Sequence, residues 1–239
     1  MCGYCGCHHA EMLPEDHHHH DEKVIQIEQD ILAENQRYAA ENRHYFNHHH
    51  ISAFNLVSSP GSGKTTLLVK TIQLLKNQVP IYVLEGDQQT DRDAIRIANT
   101  GVPVIQINTG KACHLDAHRV GHAVTDLAPQ DNSFLFIENV GNLVCPALFD
   151  LGELTKVVIL SVTEGDDKPL KYPYMFAAAK LMIINKLDLL PYVDFDIEQC
   201  IKYAKQINPA IKVLQLSVTQ GKGVESWIEW LLIHQVSLS

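Results

Sequence analysis

From residue 51 onward the chain alternates short β-rich runs with stretches of helical period, and this alternation limits the fold more than any other feature. The β-rich runs fall at 52–57 (SAFNLV), 81–84 (IYVL), 104–107 (VIQI), 133–137 (SFLFI), 156–161 (KVVILS), 181–184 (LMII) and 211–216 (IKVLQL). Several are apolar almost throughout, as strands are when helices cover both faces of their sheet. Helical segments lie between most of them, at 64–77, 91–99, 114–127, 194–207 and 223–236. Strand–helix alternation demands parallel pairing with right-handed crossovers. The expected fold is an α/β domain with a doubly wound, mostly parallel sheet. In such sheets ligands sit beyond the carboxyl ends of the strands, so the loops that follow strands are where chemistry is to be sought.

The first 50 residues differ from the rest, holding 10 of the 14 histidines and three of the six cysteines. Residues 1–23 are poor in apolar side chains and read as a flexible, metal-binding tail. Residues 24–50 read as a helix over 24–46, with Val24, Ile27, Ile31 and Tyr38 at helical spacing, followed by a His-rich linker. Residues 51–239 suffice for one domain of ordinary size. The formal net charge of −9 argues against nucleic acid, whose binders show a basic face. No apolar run approaches the roughly 18 residues that cross a bilayer. The N-terminus has no apolar signal core, so a cytoplasmic chain without a membrane partner is expected. In that compartment clustered cysteines are metal ligands or redox thiols rather than disulfides.

The first strand runs into Ser58-Ser59-Pro60-Gly61-Ser62-Gly63-Lys64-Thr65-Thr66, and a helix follows. This resembles the phosphate-binding P-loop G-x-x-x-x-G-K-[ST] in its strand–loop–helix context, with Ser58 in the first position instead of glycine. Gly61 and Gly63 let backbone N–H groups, with those of Ser62 and Thr66, close around phosphate oxygens. The helix N-terminus adds free donors and a favourable dipole. Lys64 would reach the β and γ phosphates, and the Thr65 hydroxyl would meet Mg²⁺.

Asn185-Lys186-Leu187-Asp188 follows the sixth run and resembles the N-K-x-D guanine motif. A carboxylate there accepts hydrogen bonds from guanine N1–H and its 2-amino group, a donor pair that adenine lacks. Ser217, in Ser217-Val218-Thr219-Gln220-Gly221, resembles the last guanine-contact loop more weakly. Two acids also follow strands: Asp87, within EGDQQTD, and Glu138, within Glu138-Asn139-Val140-Gly141. Either suits Mg²⁺, held in part through water. Gly141 suits the pivot of a loop that senses the γ phosphate. Asp87 can also orient an attacking water, while Asp91 reads as a helix cap. No glutamine or arginine stands out as a transition-state stabiliser, so slow intrinsic hydrolysis is expected.

Three groups of residues suit metals. Cys2, Cys5 and Cys7 form C-x-x-C-x-C beside the terminal amine, a set suited to square-planar Ni²⁺ but open to Zn²⁺ or Cu⁺. The histidine tracts His8–His9, His17–His20 and His48–His50 read as auxiliary ligands of low affinity. Inside the domain, Cys113 and His114 are expected to open a helix carrying His118 and His122, with three imidazoles on one face, so that His118 and His122 can serve as auxiliary ligands. Cys145 lies on the loop that begins at Glu138. A Cys-His-Cys set leaves one tetrahedral position open. Cys200 reads as core.

Taken together, these residues resemble the HypB family of nickel-insertion GTPases. The resemblance runs through C-G-Y-C-G-C, the His-rich tail, SSPGSGKTT, EGDQQTD, ACHLD, ENVGNLVCP and NKLD, and so covers nearly the whole chain. It implies a Mg²⁺-dependent GTPase that helps deliver Ni²⁺ to the large subunit of NiFe hydrogenase. It also implies a GTP-promoted homodimer and a HypA-type zinc protein as partner. Under it, Cys2, Cys5 and Cys7 form a nickel site. Cys113, His114 and Cys145 form a second site, for nickel or zinc, tied to nucleotide state. A nickel store with little turnover and a urease-type nickel GTPase are the alternatives.

Overall fold

The computed structural model describes residues 14–87, 91–110 and 112–235, without the side chains of residues 14–25 and 28. The cysteines at 2, 5 and 7 and the histidines at 8 and 9 lie outside the described residues, as do Gln88, Gln89 and Thr90 and the side chains of His17–His20.

Two units divide the chain, Met1–Glu34 and Asn35–Ser239. The first ends within helix α1, which runs from Pro14 to His48. This helix is longer than the 24–46 expected, so the latter part of the stretch read as a tail is helical. Pro14 occupies a first helical position, where no backbone N–H is required, and no later glycine or proline interrupts.

In the larger unit all seven expected strands form: β1 Ser52–Ser58, β2 Ile81–Asp87, β3 Val104–Asn108, β4 Phe134–Glu138, β5 Thr155–Ser161, β6 Ala179–Asn185 and β7 Lys212–Gln215. They make one parallel sheet in the order β3-β2-β4-β1-β5-β6-β7. The crossovers carry α2 Lys64–Leu75, α3 Arg92–Ala98, α4 Ala117–Leu127, α5 Cys145–Leu148, α6 Lys168–Lys171, α7 Pro173–Ala178 and α8 Ile197–Ile207, and α9 Val224–Ile233 closes the unit. A 3₁₀ turn at Leu187–Tyr192 follows β6.

Alternate residues of each strand serve opposite faces. Phe54, Leu56, Val83, Phe134, Phe136, Val157 and Ile183 pack against α2 and α9, including Trp227. Ala53, Leu84, Leu135 and Ile137 join Phe46 of α1 and Val120 of α4 on the opposite face, while Val158, Leu160 and Ile184 meet Phe176 and Cys200 there. Trp227 is fully buried, and its indole N–H donates to Thr71 Oγ1 at 2.8 Å, which satisfies the polar handle that burial would otherwise orphan.

The C-terminal part of α1 is tied to the domain by side-chain amides. Asn35 Nδ2 donates to Asp150 O and Asn35 Oδ1 accepts from Ala117 N, while Asn42 Nδ2 donates to Ala117 O and Leu151 O. Arg43 grips both oxygens of Asp150 at 2.7 Å. Burial raises the Asp150 carboxyl, but Arg43 and the Gly152 N–H outweigh it and hold the group below the usual range. Gly152 makes the approach possible: its φ is +87°, and a Cβ there would lie 2.7 Å from Ala39 O and Asn42 Cβ.

Candidate functional site

The ends of β1, β2, β4 and β6 converge on one edge of the sheet, and a cleft of ≈ 500 Å³ opens there. Residues Ser58–Thr66, Glu85, Gly86, Asp87, Val140, Gly141 and Lys186 line it, with Asp93 and Arg96 at its margin. Gly61 and Gly63 adopt φ of +76° and +96°, which only glycine takes without strain. A Cβ at Gly63 would also strike Asn185 Nδ2 at 2.5 Å.

Lys64 Nζ and Thr65 Oγ1 meet the same oxygen of Glu138, at 2.9 and 2.5 Å. Glu138 is buried, and its second oxygen has no hydrogen-bond partner. Glu85 is its register partner on the neighbouring strand and also keeps a buried oxygen without a partner. Burial, then the nearby charges of Glu138 and Asp87, push the Glu85 carboxyl up to about 7. Glu85 and Glu138 therefore lie side by side on neighbouring strands, with the Thr65 hydroxyl on Glu138 and the Asp87 charge near enough to act on Glu85. Crowded acids with unsatisfied oxygens fit a hard divalent cation, which takes oxygen ligands and relieves their repulsion.

The expected base loop is joined to the phosphate loop. Asn185 Nδ2 donates to Ser62 O at 2.9 Å, and its Oδ1 accepts from Lys186 N at 2.7 Å. Lys186 Nζ reaches Gly61 O at 2.6 Å. Ser217 Oγ donates to Asp188 Oδ1 at 2.5 Å, bringing the two expected guanine-contact segments together.

Beyond Glu138, the loop bends against the phosphate loop. A Cβ at Gly141 would stand 3.1–3.3 Å from Pro60, a tight contact that a larger residue could keep only if Pro60 gave way by a few tenths of an ångström. The loop ends at Cys145, where Cys113, His114 and Cys145 bring their ligand atoms within 4.8 Å of one another. The Cys113 and Cys145 sulfurs are 2.7 Å apart and both thiols are free. The Cys113 thiol is pushed up by its hydrogen bond to Cys145 and by burial. Burial pushes His114 down, which favours the neutral imidazole that metals take.

Two side-chain amides connect the halves of the site. Asn139 Oδ1 accepts from Leu115 N at 3.2 Å and Val140 N at 3.0 Å, and Asn142 Nδ2 donates to Cys113 O at 3.2 Å. Asn139 is itself anchored from below: its Nδ2 donates to Asn55, which bonds Glu153, which pairs with Lys156. Gly86 completes the junction, because Leu115 packs where its Cβ would be, at 2.8–3.0 Å.

Several expectations need correction. His114 does not open α4: the helix begins at Ala117, capped by Asp116, whose carboxylate accepts from Arg119 N. The three imidazoles therefore do not share a helical face. His114 lies against the Phe149 ring, at 3.9 Å between centroids, while His118 and His122 pair with each other. Asp91 does occupy the N-cap position of α3, but its side chain makes no cap bond. An arginine also stands at the cleft: Arg96 Nη2 donates to Thr66 Oγ1 at 3.1 Å and its Nη1 pairs with Asp93. Cys200 is buried as expected, its thiol pushed up to about 12 by burial and neighbouring acids. Glu85, Arg96, Asn139 and Asn142 were not singled out from the sequence, and only their places near the end of β2, after β4 or on the helix following β2 hinted at them.

Fold and cleft together define a P-loop nucleotide-binding domain of the α/β class. Residues 52–215 match the family described as "CobW/HypB/UreG, nucleotide-binding domain". The chain belongs to this family, on its HypB branch. The hydrogenase maturation factor HypB of Azotobacter chroococcum mcd 1 is 63% identical over 87% of this chain and 68% of its own length. The crystal structure of hydrogenase maturation factor HypB from Archaeoglobus fulgidus superposes with a TM-score of 0.79 at 43% identity, covering 84% of this chain and 98% of that one. HypB from Helicobacter pylori in complex with nickel gives a TM-score of 0.77 at 38% identity, covering 86% and 99%.

Proposed function

We propose that the chain is a GTP-hydrolysing nickel metallochaperone that delivers Ni²⁺ to the large subunit of NiFe hydrogenase during its maturation. The observation that carries this reading is the loop from Glu138 to Cys145. One end carries the buried acid that meets Lys64 and Thr65, and the other carries a thiol of the Cys113-His114-Cys145 cluster. The hydrogen bonds of Asn139 and Asn142 tie the loop to the backbone of Cys113–Leu115. The names of the related maturation factors, and the nickel complex of one of them, point the same way.

In this reading Gly61, Ser62, Gly63, Lys64, Thr65 and Thr66 hold the phosphates, and Asn185, Lys186, Asp188 and Ser217 hold guanine. Thr65, Asp87 and Glu138 would hold Mg²⁺, which neutralises charge on the phosphates, with Glu85 behind them. Lys64 leaves Glu138 for the phosphates, and Asp87 orients the attacking water. Catalysis rests on positioning and electrostatics. A change at Glu138 moves Asn139 and Asn142 and shifts Cys145 against Cys113, which alters affinity for the cargo ion. The N-terminal thiols Cys2, Cys5 and Cys7 would supply a second nickel site, and a GTP-promoted homodimer and a HypA-type zinc protein would complete the cytoplasmic delivery route.

Lys64→Ala in the full chain tests the reading. Loss of GTP turnover together with loss of nickel-dependent hydrogenase maturation supports it. Maturation that survives without turnover would leave the chain a nickel store with a nucleotide cleft.

A further inference from the structure

We propose that Arg96 is a phosphate clamp: its guanidinium leaves Asp93 and binds oxygens of the α and β phosphates of the nucleotide in the cleft. The inference rests on the reading that this cleft takes a guanine nucleotide, and adds to it a residue from outside the phosphate and base loops. Arg96 stands on α3, beyond the end of β2, and its side chain belongs to the lining of the cleft. Its Nη2 donates to Thr66 Oγ1 at 3.1 Å. Thr66 lies in the first turn of α2. There side chains tilt back toward the helix N-terminus, and backbone N–H groups have no partner within the helix. The phosphate loop and this turn cradle the α and β phosphates, while the lysine of the loop reaches on toward the γ phosphate. The hydroxyl that holds Arg96 is therefore at the rim of the seat an anion would take.

Arg96 is also the cation of the cleft with least to lose by moving. Lys64 Nζ bonds the buried Glu138, and Lys186 Nζ bonds Gly61 O. Arg96 has a neutral hydroxyl and Asp93, three residues back on its own helix, the two side chains being 48% and 42% exposed. A pair so open to water contributes little, and a phosphate oxygen displaces it readily. Only Nη1 and Nη2 are engaged among the described residues. The planar fork carries further N–H groups, so it can keep Thr66 and still give parallel bonds to a phosphate. Asp93 then serves as a parking place, keeping the guanidinium at the margin of the cleft until nucleotide arrives.

Binding of a fluorescent GDP analogue to the full chain in the presence of Mg²⁺ tests the clamp. Arg96→Gln should weaken GDP about tenfold. Arg96→Lys should weaken it less, since the ammonium keeps the charge but not the fork, and this variant also answers should the first fail to fold. The affinity of Arg96→Gln should fall less steeply with added salt than that of the unaltered chain. At saturating GTP its turnover should stay within about twofold of the unaltered rate, because a contact made equally in ground and transition states does not change kcat. Asp93→Asn removes the competing partner, so GDP should bind as tightly as before or more so. Unchanged GDP affinity in both Arg96 variants would overturn the proposal. So would an equal loss in Asp93→Asn and Arg96→Gln, because the pair would then only brace α3. An unaltered chain that binds no GDP would remove the reading of the cleft itself, and the clamp with it.

Discussion

Glu85 shows how much one buried acid can do. Its carboxyl moves from 4.5 to about 7 on folding, mainly by burial and then by the charges of Glu138 and Asp87. Between those values the folded chain binds a proton that the unfolded chain does not, so stability falls as pH rises through that window. Below 4.5 both states are protonated and the penalty is absent. Glu85→Gln should flatten this slope and raise the stability of the nucleotide-free protein at pH 8 by roughly 1–3 kcal/mol. Denaturant unfolding at pH 5 and pH 8 measures it, and an unchanged slope would contradict the assignment. Asp188 carries the expected choice of base. Asp188→Asn should weaken GDP binding on the order of a hundredfold while leaving adenine nucleotides equally poor ligands. The places of the expected phosphate and base segments, at the ends of β1 and β6, were legible because each motif is contiguous in sequence. Glu85, Asn139 and Arg96 were not, since their roles depend on neighbours that only the sheet order brings close.

At the scale of elements, the seven strands were legible because apolar runs bounded by turns have few other uses in a chain of this composition. The short helices α5, α6 and α7 were missed. Each has only four to six residues, too few to display a period, and starts near a proline. The start of α4 was misjudged by three residues because Asp116, a good cap, lay inside a pattern that looked helical from His114. The attachment of α1 offers a test. Gly152→Ala places a methyl against Ala39 O and Asn42 and forces a positive φ on alanine. It should cost roughly 1–3 kcal/mol in thermal unfolding, with nucleotide affinity unchanged, because the cleft lies on other loops. A normal melting temperature would show that α1 is held some other way. Gly141→Ala should instead leave the melting temperature within a few degrees but slow GTP turnover, since it separates the Glu138 loop from Pro60.

On the scale of the whole molecule, the loop from Glu138 to Cys145 makes nucleotide cleft and thiol cluster neighbours in one structure. The sequence put an acid and a cysteine seven residues apart. What could not be read from it was the return path through Cys113–Leu115, which arrives from the other side of β2. The polar chain Lys156–Glu153–Asn55–Asn139 beneath the junction is buried and satisfied, so the loop has a fixed floor against which to move. Coupling of this kind requires that the cargo ion bind one nucleotide state better than the other. The most direct test is Ni²⁺ affinity at the inner cluster, measured by titration on the Cys2→Ala/Cys5→Ala/Cys7→Ala chain with GDP and with a non-hydrolysable GTP analogue. The account predicts affinities that differ by about fivefold or more, and that this difference, but not binding itself, is lost in Asn139→Ala. Equal affinities in the two nucleotide states of the otherwise unaltered chain would contradict it.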